Sequence, residues 1–159
     1  MGMRFIAIAR PADEVASVVD DPETLMAMLQ AKGDDVLDLD KAWHGWHWLL
    51  TGSVYDTTSV LGQTLLGGSE IGEDLGYGPA RVLLPEEVQA VAAALEPIDA
   101  RSAAAAYDAQ AMDDAGIYPT VWARDGDEGL QWLLHYLPAL KTFYRNAAAS
   151  RSAVVLLVI

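Results

Sequence analysis

The chain contains no cysteine. It therefore has no disulfide, no thiolate nucleophile and no sulfur ligand for zinc or an iron–sulfur cluster, and its redox compartment is unmarked. Positive charge is also scarce, with ten Lys and Arg against 23 Asp and Glu for a net charge of −13. A surface of that sign repels nucleic-acid backbones and anionic membranes. Arg101, Arg124, Lys141, Arg145 and Arg151 show no spacing that would build a basic stripe. Solubility is the plain reading of the acidity, and docking of a basic partner protein steered by the field is the sharper one.

Long hydrophobic runs are missing as well. Phe5 to Ala9, held between Arg4 and Arg10-Pro11, is too short for a signal-peptide core. Ile6 stands where a myristoylation signal requires Ser or Thr. The apolar stretch Ala153 to Ile159 falls far below the roughly 20 residues that span a bilayer. The expectation is a soluble cytoplasmic protein with no membrane or nucleic-acid partner. There are no internal repeats and no composition break that would mark a linker, so residues 1–159 read as one domain.

What the chain does have is apolar content, 52% against 21% charged, enough to bury a core at a length of 159 residues. Met3 to Ala9, Ala80 to Leu84 and Ala153 to Ile159 read as strands, the last buried on both faces because it shows no alternation. Helical patterns surround them. Pro11 opens one helix with Val15, Val18 and Val19 inward, and Asp21-Pro22 opens a second carrying Leu25, Met28 and Leu29, ended by Gly33-Asp34-Asp35. Val54 to Gly78 is glycine-rich loop with one short helix near Thr58 to Leu66. Pro85 starts a helix with Val88, Val91 and Leu95 on one face. Asp99 to Tyr107 and Ala109 to Ala115 are alanine-rich helices, the second capped by Asp108. Ile117-Tyr118-Pro119 is extended or a turn. A long helix from about Asp127 is split by Pro138. Irregular helix counts between distant strands predict an α+β fold, with a small central sheet of about three strands covered by helices.

The densest chemistry lies in Leu37 to Gly52, LDLDKAWHGWHWLLTG, which holds three of the five tryptophans and two of the three histidines. Asp40 is predicted to cap a helix that Gly52 ends. At 100° per residue Trp43, Trp46 and Leu50 share one face with His47 at its edge, and Asp40, His44 and His47 fall close together. Two imidazoles and one carboxylate can converge on a divalent ion. The competing reading makes Asp40 a cap and His47 a core histidine. Trp43 and Trp46 match a core face, whereas Trp48 points elsewhere and is the one to suspect of a pocket. The candidate site is therefore Asp40, His44, His47 and Trp48, with Asp40, His44 and His47 as the candidate metal ligands. His135 needs no role beyond a helix surface or core edge.

The glycines from Gly67 to Gly78 lack the third glycine of a dinucleotide fingerprint, and Glu70, Glu73 and Asp74 in the same loop would repel a phosphate. No Walker lysine follows. Ser53 and Ser69 lack a nucleophile-elbow pattern, and paired acids such as Glu86-Glu87 and Asp113-Asp114 suit helix-end roles. No cofactor is implied.

The run Leu37-Asp38-Leu39-Asp40-Lys41, followed by Trp43, His47 and Leu50-Thr51-Gly52, resembles the YfbM-like family, a bacterial domain of unknown function. The opening Met-Gly-Met before a strand, the glycine-rich stretch around Leu66 to Gly78 and Ile117-Tyr118-Pro119 extend the similarity over the whole chain. The family pattern carries a histidine at His47 and does not require one at His44, so His44 would be an incidental ligand. The resemblance implies an intracellular, single-domain α+β protein and supplies no catalytic residues. The leading functional expectation is a non-enzymatic acidic module that binds a basic protein, for example as an inhibitor or immunity-type partner of a toxin. The alternatives are a small hydrolase or metal-dependent enzyme at Asp40, His44, His47 and Trp48, and a small-molecule sensor with the glycine-rich loop as its lid.

Overall fold

A computed structural model describes residues 2–18, 21–30, 33 and 35–159. Val19, Asp34 and the side chain of Leu29, for which the sequence predicts places in or after the first helices, lie outside the described residues. In chain order the elements are β1 (Phe5–Arg10), α1 (Ala12–Val18), α2 (Pro22–Leu29), β2 (Val36–Asp40), α3 (Trp43–Thr51), α4 (Val60–Leu66), β3 (Ser69–Asp74) and β4 (Pro79–Leu83). They continue with α5 (Pro85–Leu95), α6 (Ala100–Ala106), α7 (Ala109–Asp114), α8 (Trp122–Asp125), α9 (Asp127–His135), α10 (Leu137–Ala149) and β5 (Ala153–Val158). The α+β expectation holds, with helices on both faces of a single antiparallel sheet in the order β2-β1-β5-β4-β3.

The sheet has five strands where about three were expected. Both additions are edge strands, whose sequences carry a diluted signal. In β2 only Leu37 and Leu39 are fully buried, while Val36 is half-buried and Asp38 and Asp40 point to water. In β3 only Ile71 is buried. Outward acids blunt an exposed edge against pairing with other chains, and they also hide the strand from a search for apolar alternation.

The two central strands explain themselves. Phe5, Ala7 and Ala9 of β1, with Val154 and Leu156 of β5, face the thick side of the sheet. Ile6 and Ile8, with Ala153, Val155 and Leu157, face α1 and α2. Because both faces are covered, neither strand needs polar residues, which is why β5 reads as an unbroken apolar run. The remaining helices cover the thick side, built around Trp46, Trp122, Leu133, Leu140 and Met112, all fully buried.

Helix ends follow the local chemistry. Asp108 accepts from Ala111 N–H at 3.0 Å and Asp99 accepts from Ser102 N–H at 2.8 Å, satisfying donors that the first turn leaves open. Glu87 reaches back to accept the Leu84 N–H at 3.0 Å. The break between α9 and α10 falls one residue before Leu137-Pro138, where proline is accommodated in the first turn of the second helix.

Candidate functional site

Helix α3 is the place to test the sequence-predicted site. Asp40 does not cap it. The N-cap is Ala42, which offers no side-chain hydrogen bond, and Asp40 is the last residue of β2 with φ 46. The carboxylate with a turn-forming role is Asp38, whose Oδ1 accepts the Asp40 N–H at 2.9 Å while it also pairs with Arg4. Since Asp40 stands outside the helix, the 100° count that placed it beside the histidines does not apply. Gly52 does end α3 in the left-handed conformation, with φ 68, and donates to the Trp48 carbonyl at 2.7 Å.

His44 is 2% exposed, and both its ring nitrogens are committed to main chain. Nδ1 accepts the Tyr118 N–H at 2.9 Å, which requires a lone pair there. The proton therefore sits on Nε2, which donates to the Val54 carbonyl at 3.0 Å. That tautomer has no lone pair left for a metal ion or for proton abstraction. Burial pushes the imidazole below its ordinary range, with partial opposition from the Val54 carbonyl. His44 thus ties α3 to the loop after it and to the loop before α8.

His47 is fully enclosed, and neither of its ring nitrogens has a hydrogen-bond partner. The Asp56 main chain is close enough to favour the charged form slightly, but no bond of acceptable geometry forms. Burial, reinforced by His44, pushes this imidazole down to about 4. Trp48 is half-buried against the core. The four predicted residues therefore do not converge. Asp40 is exposed at a strand end, the two histidines are sealed inside, and among the described residues no three His, Asp or Glu side chains are placed to hold a metal ion. The metal-ligand set Asp40, His44 and His47 is not assembled.

Gly45 shows how tightly this part of α3 is packed. A Cβ there would come within 2.7 Å of Trp122 Cη2 and 2.8 Å of Leu133 Cδ2. The Trp46 indole N–H donates to the Leu133 carbonyl at 2.8 Å and so finds its partner inside the core.

The open chemistry lies beside the start of the same helix. A cleft of about 470 Å³ is lined by Trp43 of α3, Tyr55 and Thr57 of the following loop, Leu65 and Leu66 of α4, and the adjoining ends of β4 and β5. Trp43 and Tyr55 both stack on the His44 ring, at 4.7 Å and 10° and at 5.2 Å and 19°. Buried His44 thus acts as the spacer that sets two cleft walls. Tyr55 and Tyr77 are 67% and 56% exposed, unusual for large aromatics with nearby apolar neighbours. Arg81 supplies the cationic group in the lining, and Glu70 balances it at 2.7 Å. Among the described residues no histidine, aspartate or glutamate lines the cleft. Tyr55, Tyr77 and Arg81 were missed by sequence reasoning. The one available signal was Pro79 at the head of a strand run, which marks a ladder that cannot be completed.

The model of a family described as "Domain of unknown function (DUF1877)" matches residues 1–157. The chain belongs to this family. Its fold is similar to that of YfbM from Escherichia coli, whose crystal structure is described as that of a protein of unknown function. The TM-score is 0.79, with 17% sequence identity, over 99% of this chain and 100% of that one. At that identity the likeness is one of fold. No curated protein sequence matches. Among the described residues no helix is long and apolar enough to cross a membrane.

Proposed function

We propose that the protein is a non-catalytic binding module whose binding surface is the cleft between Trp43, Tyr55 and the ends of β4 and β5. One observation carries the reading: the cleft combines aromatic and apolar walls with no acid–base pair. The lining offers Trp43, Tyr55, Tyr77 and five leucine or valine positions, and its one charged residue is an arginine that already has a carboxylate partner. Such a surface suits the anchoring of a group by burial and stacking. Turnover needs a base or nucleophile within reach of the bound group, and the histidines that would serve are spent or enclosed.

The charge around the cleft favours a cationic partner. Asp56 adjoins Tyr55, Glu70 faces Arg81, and Asp74 accepts the N–H groups of Gly76 and Gly78 at 2.7 and 3.0 Å. With the net charge of −13, these acids support a basic protein as the partner. Titration with benzylammonium and with phenylacetate, followed by amide and indole NMR shifts, tests this reading. Benzylammonium is expected to shift Trp43 and Tyr55, with phenylacetate weaker. Absence of any shift in the cleft with either probe overturns the proposal.

A second reading, a small-molecule sensor closed by the glycine-rich loop, is favoured by the presence of Tyr77 and Gly78 in the lining. A bound small molecule would then raise the melting temperature, which separates it from protein docking alone.

A further inference from the structure

The cleft lies where a strand ladder stops early. Strand β5 pairs with β1 from Ala153 to Val158, and Arg4 and Ile159 extend the pairing by exchanging both main-chain bonds, at 2.8 and 2.9 Å. On its other side β5 pairs with β4 only as far as Arg81↔Leu156. Continuing that register would set Val158 opposite Pro79.

The alternation of an antiparallel ladder fixes where Val158 points its backbone. Because Arg4 and Ile159 form a pair that exchanges both bonds, the next pair, Phe5↔Val158, exchanges none. The N–H and C=O of Val158 are therefore turned away from β1 and toward β4. In a continued register the carbonyl would face Pro79, which has no N–H to give. The ladder stops short of that pair, and Gly78, Pro79, Arg81, Leu156, Leu157 and Val158 all line the cleft beside it.

We propose that this seam receives an extended peptide segment of a partner protein, one residue of which pairs antiparallel with Val158. This deepens the binding reading above and rests on it. A peptide residue carries the N–H that the Val158 carbonyl lacks, together with a C=O for the Val158 N–H, at the spacing a strand requires. Directly opposed residues in an antiparallel pair place their side chains on the same face. Val158 faces the thick side of the sheet, so the paired residue sends its side chain toward Trp43, Leu65 and Leu66. An aromatic or large aliphatic residue fills that space. The acids Asp56, Glu70 and Asp74 around the cleft select Lys or Arg in the flanking positions.

The test uses acetyl-Lys-Thr-Phe-Thr-Lys-amide and the same peptide N-methylated at Phe, titrated into the full chain and followed by NMR. Expected is a shift of the Val158 amide and the Trp43 indole with the parent peptide. N-methylation removes the donor to Val158 and is expected to weaken binding about tenfold, the equivalent of one hydrogen bond. Equal binding of the two peptides overturns strand pairing. Binding of benzylammonium at the cleft without binding of the parent peptide overturns the peptide proposal and leaves the binding function standing; failure of both overturns both. Pro79→Val supplies the missing donor from within β4, and is expected to close the seam and weaken the peptide about tenfold. Undiminished binding by a folded Pro79→Val protein also overturns the proposal. Should that variant not fold, the N-methyl comparison on the unaltered protein decides.

Discussion

The middle and the start of α3 differ in a way that composition alone does not disclose. At mid-helix lies the imidazole of His47, which the surroundings enclose without a partner. At the start lies Trp43, an unreactive side chain that the surroundings leave as a wall of an open cleft. Residue type marked the first place as the site, and geometry marks the second. A reactive side chain is informative only when solvent or substrate can reach it, and reach is decided by the elements that pack around the helix.

Breaking the enclosed middle of α3 should cost the most. Trp46→Ala removes a fully buried indole together with its bond to Leu133, and is expected to lower the unfolding free energy by about 3–5 kcal/mol. Urea denaturation measures this, and a loss under about 1 kcal/mol would mean that the packing there is loose. His47 gives an intermediate effect that depends on pH. Its folded-state value of about 4 lies below the 6.5 of an unperturbed imidazole, so between those values the unfolded chain binds more protons than the folded one. Stability should fall as pH drops through 6.5 and level off below about 4, a loss of about 3 kcal/mol from this residue. His47→Leu removes that loss, so its stability curve should be flatter than that of the unaltered protein over the same interval. Parallel curves would show that the imidazole is hydrated or hydrogen-bonded in solution.

The open end should respond least in stability. Tyr55→Ala removes an exposed ring that rests on His44, with an expected change within about 1 kcal/mol. The same change should abolish the NMR response of the cleft to benzylammonium. A large stability loss with binding retained would reverse that contrast and make Tyr55 a structural cover.

Legibility in the sequence followed the same division. The central strands β1 and β5, the splitting of the long helix at Pro138 and the cap at Asp108 were visible because each depends on local chemistry or on an uninterrupted apolar run. The edge strands were less visible, since water on one side lets Asp38, Glu70 and Glu73 occupy strand positions. Asp40 misled because a short polar residue before a helix fits a cap and a strand-end turn equally well. That Trp43 and Trp46 belong to the core was readable from spacing, and both are buried. The cleft was not readable. Its walls come from residues 3, 43, 55, 57, 65–66, 77–79, 81 and 156–158, which only the tertiary fold brings together.

The pairing of β1 with β5 also bears on how the chain acquires its structure. The two strands at the centre of the sheet are about 150 residues apart in sequence, so their contact closes a loop nearly as long as the chain. During synthesis β1 leaves the ribosome with one flank open until β5 is made, able to pair with β2 but not with its other neighbour. Helices α3 to α10 can assemble among themselves in that interval, yet the face of β5 on which they rest is still missing. The last strand to emerge is therefore the keystone: it joins β1 to β4, completes both layers of the core and opens the seam beside Pro79 in one event.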